Sequence, residues 1–206
     1  MILRMDEFIS GFGNFFPAQH DWMPWDITKN LPDILLRMIS QLDDNFEIRD
    51  SIAIHKSARI EYGAVIKAPV IICEDCLIAA HAYLRGGVYT GQSTTIGPGC
   101  EIKSSIILCN SSISHFNFIG DSIVGSHVNF EAGSIIANHY NERADKRIRV
   151  IHQSEILETN SEKFGALVGD HSRIGANAVL SPGTLLPLNA VVARLELVDQ
   201  LTKIEL

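Results

Sequence analysis

The chain carries no run of lysine or arginine, and no apolar stretch near the ~20 residues that a membrane span requires. Its 17 basic residues are outnumbered by 24 acidic ones, giving a formal charge of −7. A nucleic-acid binder shows the opposite balance, and an anionic ligand would have to be met by a local basic cluster working against the overall field. The apolar start Met1–Leu3 is too short for a signal peptide. A cytoplasmic chain with no nucleic-acid or membrane partner is therefore expected. Cysteine is scarce, with four in 206 residues, and the single C-x-x-C, Cys73 and Cys76, has no second pair to complete a zinc site. What is plentiful is apolar side chain, 46% of the residues, enough for a packed core in one domain.

That apolar content is periodic. Ile54, Ile60, Ile66, Ile72, Ile78, Leu84, Thr90, Ile96 and Ile102 recur every sixth residue, all aliphatic except Thr90. Four residues beyond each lies a small or aliphatic one: Ala58, Ala64, Val70, Cys76, Ala82, Val88, Thr94, Cys100 and Ile106. A period of six fits neither the 3.6 of a helix nor the 2 of an ordinary strand, and marks a hexapeptide β-helix with three hexads, about 18 residues, per triangular coil. Cys76 and Cys100 fall on the small inward position, where a thiol acts as a small hydrophobe.

The frame slips by one residue after Ile102, to Ile107, Ile113 and Ile119, and again to Val124, Phe130 and Ile136. Each slip is a five-residue side, so a corner is tightened there. Residues 139–167 carry no hexads, and the frame resumes at Val168, Ile174, Leu180 and Leu186. An insertion in a regular solenoid has to leave the surface as a loop or hairpin, and such segments often carry function. Upstream, residues 26–46 hold an amphipathic helix with Pro32 in its first turn and Ile34, Leu35, Met38, Ile39 and Leu42 on one stripe. It is expected to cover the open N-terminal end of the solenoid, because terminal repeats need a cap. The aromatic stretch before it, Phe8 to Trp25, is expected to pack on the first coil or on a neighbouring subunit. The expected organisation is all-β: a helical cap over 1–50, a β-helix over 51–194 with its insert, and a tail over 195–206. In the tail Leu195, Leu197, Val198, Leu201 and Ile204 could form a short helix or strand.

The run S-H-F-N-F-I-G-D-S-I-V-G-S-H-V-N-F-E-A-G-S-I-I-A-N, residues 114–138, with Y-L-R-G-G and E-I-K before it and K-F-G-A (163–166) after the insert, resembles a known family. It is similar to the acetyltransferase domain of bifunctional N-acetylglucosamine-1-phosphate uridyltransferase/glucosamine-1-phosphate acetyltransferases. It looks still more like that of archaeal-type sugar-1-phosphate nucleotidyltransferases. The resemblance covers roughly residues 50–190. It implies a left-handed parallel β-helix, an exception to the right-handed crossover rule, in a homotrimer with active sites between subunits. It also implies acetyl-CoA as co-substrate, with no metal required for acyl transfer. By the same resemblance, His115 is the general base and Asn138 orients the amine; Arg85 and Lys103 hold the sugar phosphate; Asn129 contacts the sugar; and Ala132, Ala176 and Ala193 line the acetyl-CoA side.

The chemistry is sensible on its own terms. A neutral imidazole near its pKa suits deprotonation of an amine, and two cations clamp a phosphate. The chain departs from the family at three places: Phe118 replaces a substrate-contacting tyrosine, Ala176 replaces a serine near the acetyl donor, and the phosphate-contacting lysine of the insert is ambiguous. Lys146 is preferred there, with Arg143, Arg147 and Lys163 as rivals. No glycine-rich nucleotide loop with a following lysine precedes the helix, so nucleotidyl transfer is not expected of this chain. His115, His127 and His139 are spaced by twelve, which suggests the three-histidine zinc site of another hexapeptide class, the γ-type carbonic anhydrases. The frame slips put them on three different sides of the prism, so no zinc site is expected. The expectation is an N-acetyltransferase acting on glucosamine-1-phosphate or galactosamine-1-phosphate. The alternatives are an acyltransferase on a nucleotide-linked amino sugar, or a non-enzymatic partner of a separate nucleotidyltransferase.

Overall fold

The structure is a computed structural model that describes residues 3–201. The hexads wind as a parallel β-helix with three faces. Face I stacks Ile52–His55, Val70–Ile72, residues 88–90 and 105–107, Ile123–Val124, Ala166–Val168 and Thr184–Leu186. Face II is a seven-stranded sheet running from Arg59–Ile60 to Val191–Val192. Face III runs from Val65–Ile66 through residues 83–85 and 101–103, Phe118–Gly120, Ile135–Ile136 and Val179–Leu180 to Leu197–Val198. The hexad residues Ile72, Ile78, Leu84, Thr90, Ile96 and Ile102 are wholly buried, so the aliphatic stack is the core. Thr90 satisfies its hydroxyl on the Cys76 sulfur, 3.6 Å away, as a buried polar group must.

Both frame slips fall at the corner joining face III to face I. The register changes from Arg85↔Lys103 to Val88↔Ser105, so Gly86 and Gly87 are matched by Ser104 alone. One coil later Lys103↔Gly120 and Ile106↔Ile123 keep one register, so Asp121 stands opposite Ser104 at the same shortened corner. The insert leaves from this corner too. It contains the hairpin Arg149–His152/Glu155–Glu158, turned by Gln153 and Ser154 at positive φ, the geometry of a tight hairpin turn.

The helical segment lies elsewhere than over the open end. It comprises α1 (Phe12–Phe15), α2 (Pro24–Lys29) and α3 (Leu31–Ile39). Helices α2 and α3 are divided at Asn30, two residues before Pro32, whose ring and missing N–H do not permit one continuous helix. The segment runs along face I. Phe16 meets Tyr89 edge-on at 5.1 Å, Trp25 meets Phe164 at 5.8 Å, and Pro32 abuts Gly87. The physical reason is on face I itself. The middle residue of each strand, which alternation turns outward, is apolar throughout: Ile71, Tyr89, Ile106, Ile123, Leu167 and Leu185, all buried. Leaving them exposed would cost roughly 1.5–3 kcal/mol per large side chain. The segment and the insert hairpin bury this stripe, and Asp170 pins the first turns by accepting the Ser10 N–H at 2.8 Å. The open N-terminal end keeps Ile54 and Ile66 only half-buried. In the tail, Leu197–Val198 is a strand of the solenoid, while Ile204 lies outside the described residues.

Candidate functional site

The tightened corner gathers charged side chains into a column. Arg85 and Lys103 end successive strands of face III in register, so both emerge at this corner. Arg85 is held by Glu101, 2.6 Å from one guanidinium nitrogen, with both side chains about a third exposed. The Lys103 ammonium lies 2.6 Å from Asp121 Oδ2, with only 15% and 9% of these side chains exposed. Asp121 has φ +47, in the left-handed region that Asp tolerates better than most residues. Its N–H donates to the Lys103 carbonyl at 2.8 Å, and its carbonyl accepts the Gly165 N–H at 2.9 Å, so it is clamped between two coils.

Asn138, at the mouth of the insert, is buried and donates its Nδ2 to the same Asp121 oxygen. Its Oδ1 is 3.2 Å from His139 Nδ1. Gly120 makes room for this amide: a Cβ there would stand 2.8 Å from Asn138 Nδ2. Beside the column opens a cleft of about 450 Å³ whose walls come from three parts of the chain: Lys29 and Pro32 of the helical segment, Lys103 and Asp121 of the corner, and residues 160–163 of the insert. Lys163 is thus the basic insert residue that reaches Lys103, whereas Lys146 is exposed and does not line the cleft. Arg147 pairs with Asp145 at 2.7 Å, and Arg143 stacks on Tyr140 at 3.6 Å from the ring centre.

His115 sits at the opposite edge of face III, on the corner that face II turns into. Its imidazole is exposed and makes no hydrogen bond or ion pair to another described residue. Its backbone is fixed: the carbonyl accepts the Gly133 N–H at 2.8 Å and the Asn117 amide at 3.2 Å. The next coils place Ala132, Ala176 and Ala193 in the same column, linked by Asn177 N–H to Ala132 O and Leu195 N–H to Ala176 O, both 3.0 Å. There Arg194 donates to Glu131, whose carboxyl is held down to about 2 by that bond and by the Ala176 N–H. Phe118 is half-buried on face III between Glu101 and Ile135, and Asn129 is exposed on face II between Ser112 and Arg173. One chain therefore brings Lys103, Asp121 and Lys163 to one cleft, with Asn138 bonded to Asp121 and Arg85 one coil away on Glu101, and leaves His115 and the three alanines across face III. His127 stacks on His171 at the corner between faces I and II, 4.8 Å apart, and His139 lies at the corner of Asn138. The three histidines spaced by twelve thus occupy three different corners.

Asp121 and Lys29 line this cleft and do not stand out in the sequence. The signal for Asp121 was the second frame slip, which leaves one residue to turn a corner. Nothing in the periodicity points to Lys29.

No family model matches the chain. It is 33% identical over 171 residues to a bifunctional sugar-1-phosphate nucleotidylyltransferase/acetyltransferase of Sulfurisphaera tokodaii, covering 79% of this chain and 42% of that protein. It is 31% identical to the bifunctional protein GlmU of Methanococcus vannielii, covering 86% of this chain and 43% of that protein. An uncharacterized acetyltransferase, YaiX, of Escherichia coli is 29% identical, with 84% and 80% covered. The chain spans less than half the length of the first two relatives. The resemblance read from the motifs is borne out, and the parallel β-helix fits the hexapeptide-repeat acyltransferases.

Proposed function

We propose that this chain, a hexapeptide-repeat β-helix similar to named acetyltransferases, transfers an acetyl group from acetyl-CoA to the amine of an amino-sugar 1-phosphate. The observation that carries the reading is the corner column: Lys103 and Lys163 line one cleft, a buried carboxamide, Asn138, is joined to Lys103 through Asp121, and Arg85 stands in register with Lys103 one coil away. Arg85, Lys103 and Lys163, in place of Lys146, hold the phosphate, and Asn138 orients the amine. His115 takes a proton from the amine as it attacks the thioester carbon, and the sulfur leaves as the CoA thiol once reprotonated. Phe118 offers an apolar surface to the sugar, Asn129 a polar contact, and the column of Ala132, Ala176 and Ala193 leaves space for the pantetheine arm.

His115 and Gly120, against which Asn138 lies, are five residues apart in the chain, which spans at most ~18 Å. A trimer whose solenoids meet along face III places the site between subunits and brings the two edges to one substrate. Face I is taken up by the chain's own helices, whereas face III keeps Val65, Ile135 and Leu197 40–63% exposed. That exposure supports face III as the contact surface.

A thiol-release assay with acetyl-CoA and glucosamine-1-phosphate, galactosamine-1-phosphate and their nucleotide-diphosphate forms tests the reading. Turnover with a sugar phosphate is the expected result. Higher kcat/KM for the nucleotide-linked sugar would favour the second reading, which the reach of the cleft from Lys103 to Lys29 supports. A folded protein that releases no thiol with any acceptor would leave the scaffold reading.

A further inference from the structure

We infer that Asp121 is a positioning residue of the acceptor site, setting which atom Asn138 presents and tempering the charge of Lys103. The inference rests on the reading above, in which Lys103 and Asn138 contact the acceptor.

A single atom, Asp121 Oδ2, receives both the Lys103 ammonium, at 2.6 Å, and the Asn138 Nδ2. A carboxylate accepts and never donates, so the amide can meet it only through its NH2. Rotating the amide by half a turn would set Asn138 Oδ1 against a carboxylate oxygen, leaving a buried acceptor facing a negative charge. The Oδ1 is thereby turned the other way, where His139 Nδ1 lies at 3.2 Å. The group Asn138 offers an incoming amine is an acceptor, which takes one amine N–H and leaves the lone pair free to attack. On the other side, one of the three Lys103 N–H groups is spent on Asp121, leaving two for phosphate oxygens.

The same carboxylate carries a negative charge into the phosphate subsite. It weakens anion binding there while holding the geometry that the reaction needs, so its removal moves binding and turnover in opposite directions. The fold supports this placement independently. Asp121 is 6% exposed, its φ is positive, and its N–H and C=O are bonded to different coils, so its side chain has little freedom to wander.

The test compares wild type with Asp121→Asn and Asp121→Glu, using acetyl-CoA with glucosamine-1-phosphate and, separately, uncharged glucosamine. In Asp121→Asn, kcat should fall on the order of 10²-fold, as for a misplaced reacting group. KM for the phosphorylated sugar should fall severalfold, and KM for glucosamine should stay unchanged. Asp121→Glu keeps the charge and should hold KM at the wild-type value with a partial kcat. A variant that merely loses folded protein would lower kcat for both acceptors and move neither KM, which would overturn the inference. A second readout does not need turnover. In ¹⁵N-labelled protein, the two Asn138 Nδ2 protons should be widely split in wild type and collapse toward the free-amide value in Asp121→Ala, which leaves no acceptor at that position. If wild type transfers no acetyl group, the acetyltransferase reading fails, yet the amide splitting still decides whether Asp121 holds Asn138. An unchanged Asn138 signal in Asp121→Ala rejects that hold.

Discussion

Replacing Phe164 with Ala tests whether the covered face and the site are one mechanical unit. Phe164 is wholly buried, meets Trp25 edge-on at 5.8 Å, and donates its N–H to the Asn138 carbonyl at 3.1 Å. Truncating a buried Phe to Ala costs about 3–5 kcal/mol, of which about 0.5–1.5 kcal/mol is the aromatic pair itself. For a chain of this length, each kcal/mol moves the melting temperature by about 2–4 °C, so Phe164→Ala should melt roughly 6–20 °C lower. Phe164→Leu should fall between the two. Thermal unfolding followed by circular dichroism reads the shift. In a Trp22→Phe background, fluorescence isolates Trp25, whose emission should move to the red as its ring partner is lost. Because residue 164 links Lys163 to Asn138, KM for the acceptor should rise in the variant even at temperatures where it is fully folded. A melting shift under ~2 °C with unchanged Trp25 emission would refute the packing of the helical segment on face I.

Two further outcomes follow from the same geometry. Gly120→Ala places a methyl group 2.8 Å from Asn138 Nδ2 and from the Phe118 ring, so it should cut acetyl transfer at least tenfold with a melting shift far smaller than that of Phe164→Ala; wild-type activity would mean that Asn138 is free to move aside. Burial pushes the Cys73 thiol up to about 12, above its ordinary value near 9, so its contribution to stability is complete below pH 9 and is lost as the pH rises toward 12. The unfolding free energy from urea titrations should fall between pH 8 and pH 10.5, by up to about 1.4 kcal/mol per pH unit for this proton, and more gently in Cys73→Ala; equal slopes would place the effect on other groups.

Much of the architecture could be read from spacing alone. The hexads located the core stack, and the two five-residue sides located the corner at which Lys103, Asp121 and the insert meet. The insert's hairpin was foreseen only as a loop or hairpin, since four-residue strands such as Glu155–Glu158 carry no repeat of their own. The position of the helical segment was missed because its partner surface is written in a different period. Ile71, Tyr89, Ile106 and Ile123 recur at 17–18 residues, next to the inward hexad residues, and are masked by them unless the outward position of each coil is read separately. The candidate site residues were legible as a motif, but their grouping was not. Arg85, Lys103 and Asn138 share a corner, and His115 stands across face III, a division that depends on which corner each slip tightens. That Lys163 and not Lys146 lines the cleft was hidden for a related reason: only the folded insert shows which of its cations returns to the solenoid.

The most direct test of the account is kcat for thiol release with acetyl-CoA and the preferred amino-sugar phosphate in wild type and His115→Ala, with the oligomer of each measured by sedimentation. A general base contributes about 10²–10⁴-fold, and His115 touches no other described side chain through a polar contact. The account predicts a loss of that size with the melting temperature and a trimeric mass unchanged. Wild-type turnover by His115→Ala would contradict it and would move the proton transfer to another group at the corner of Asn138.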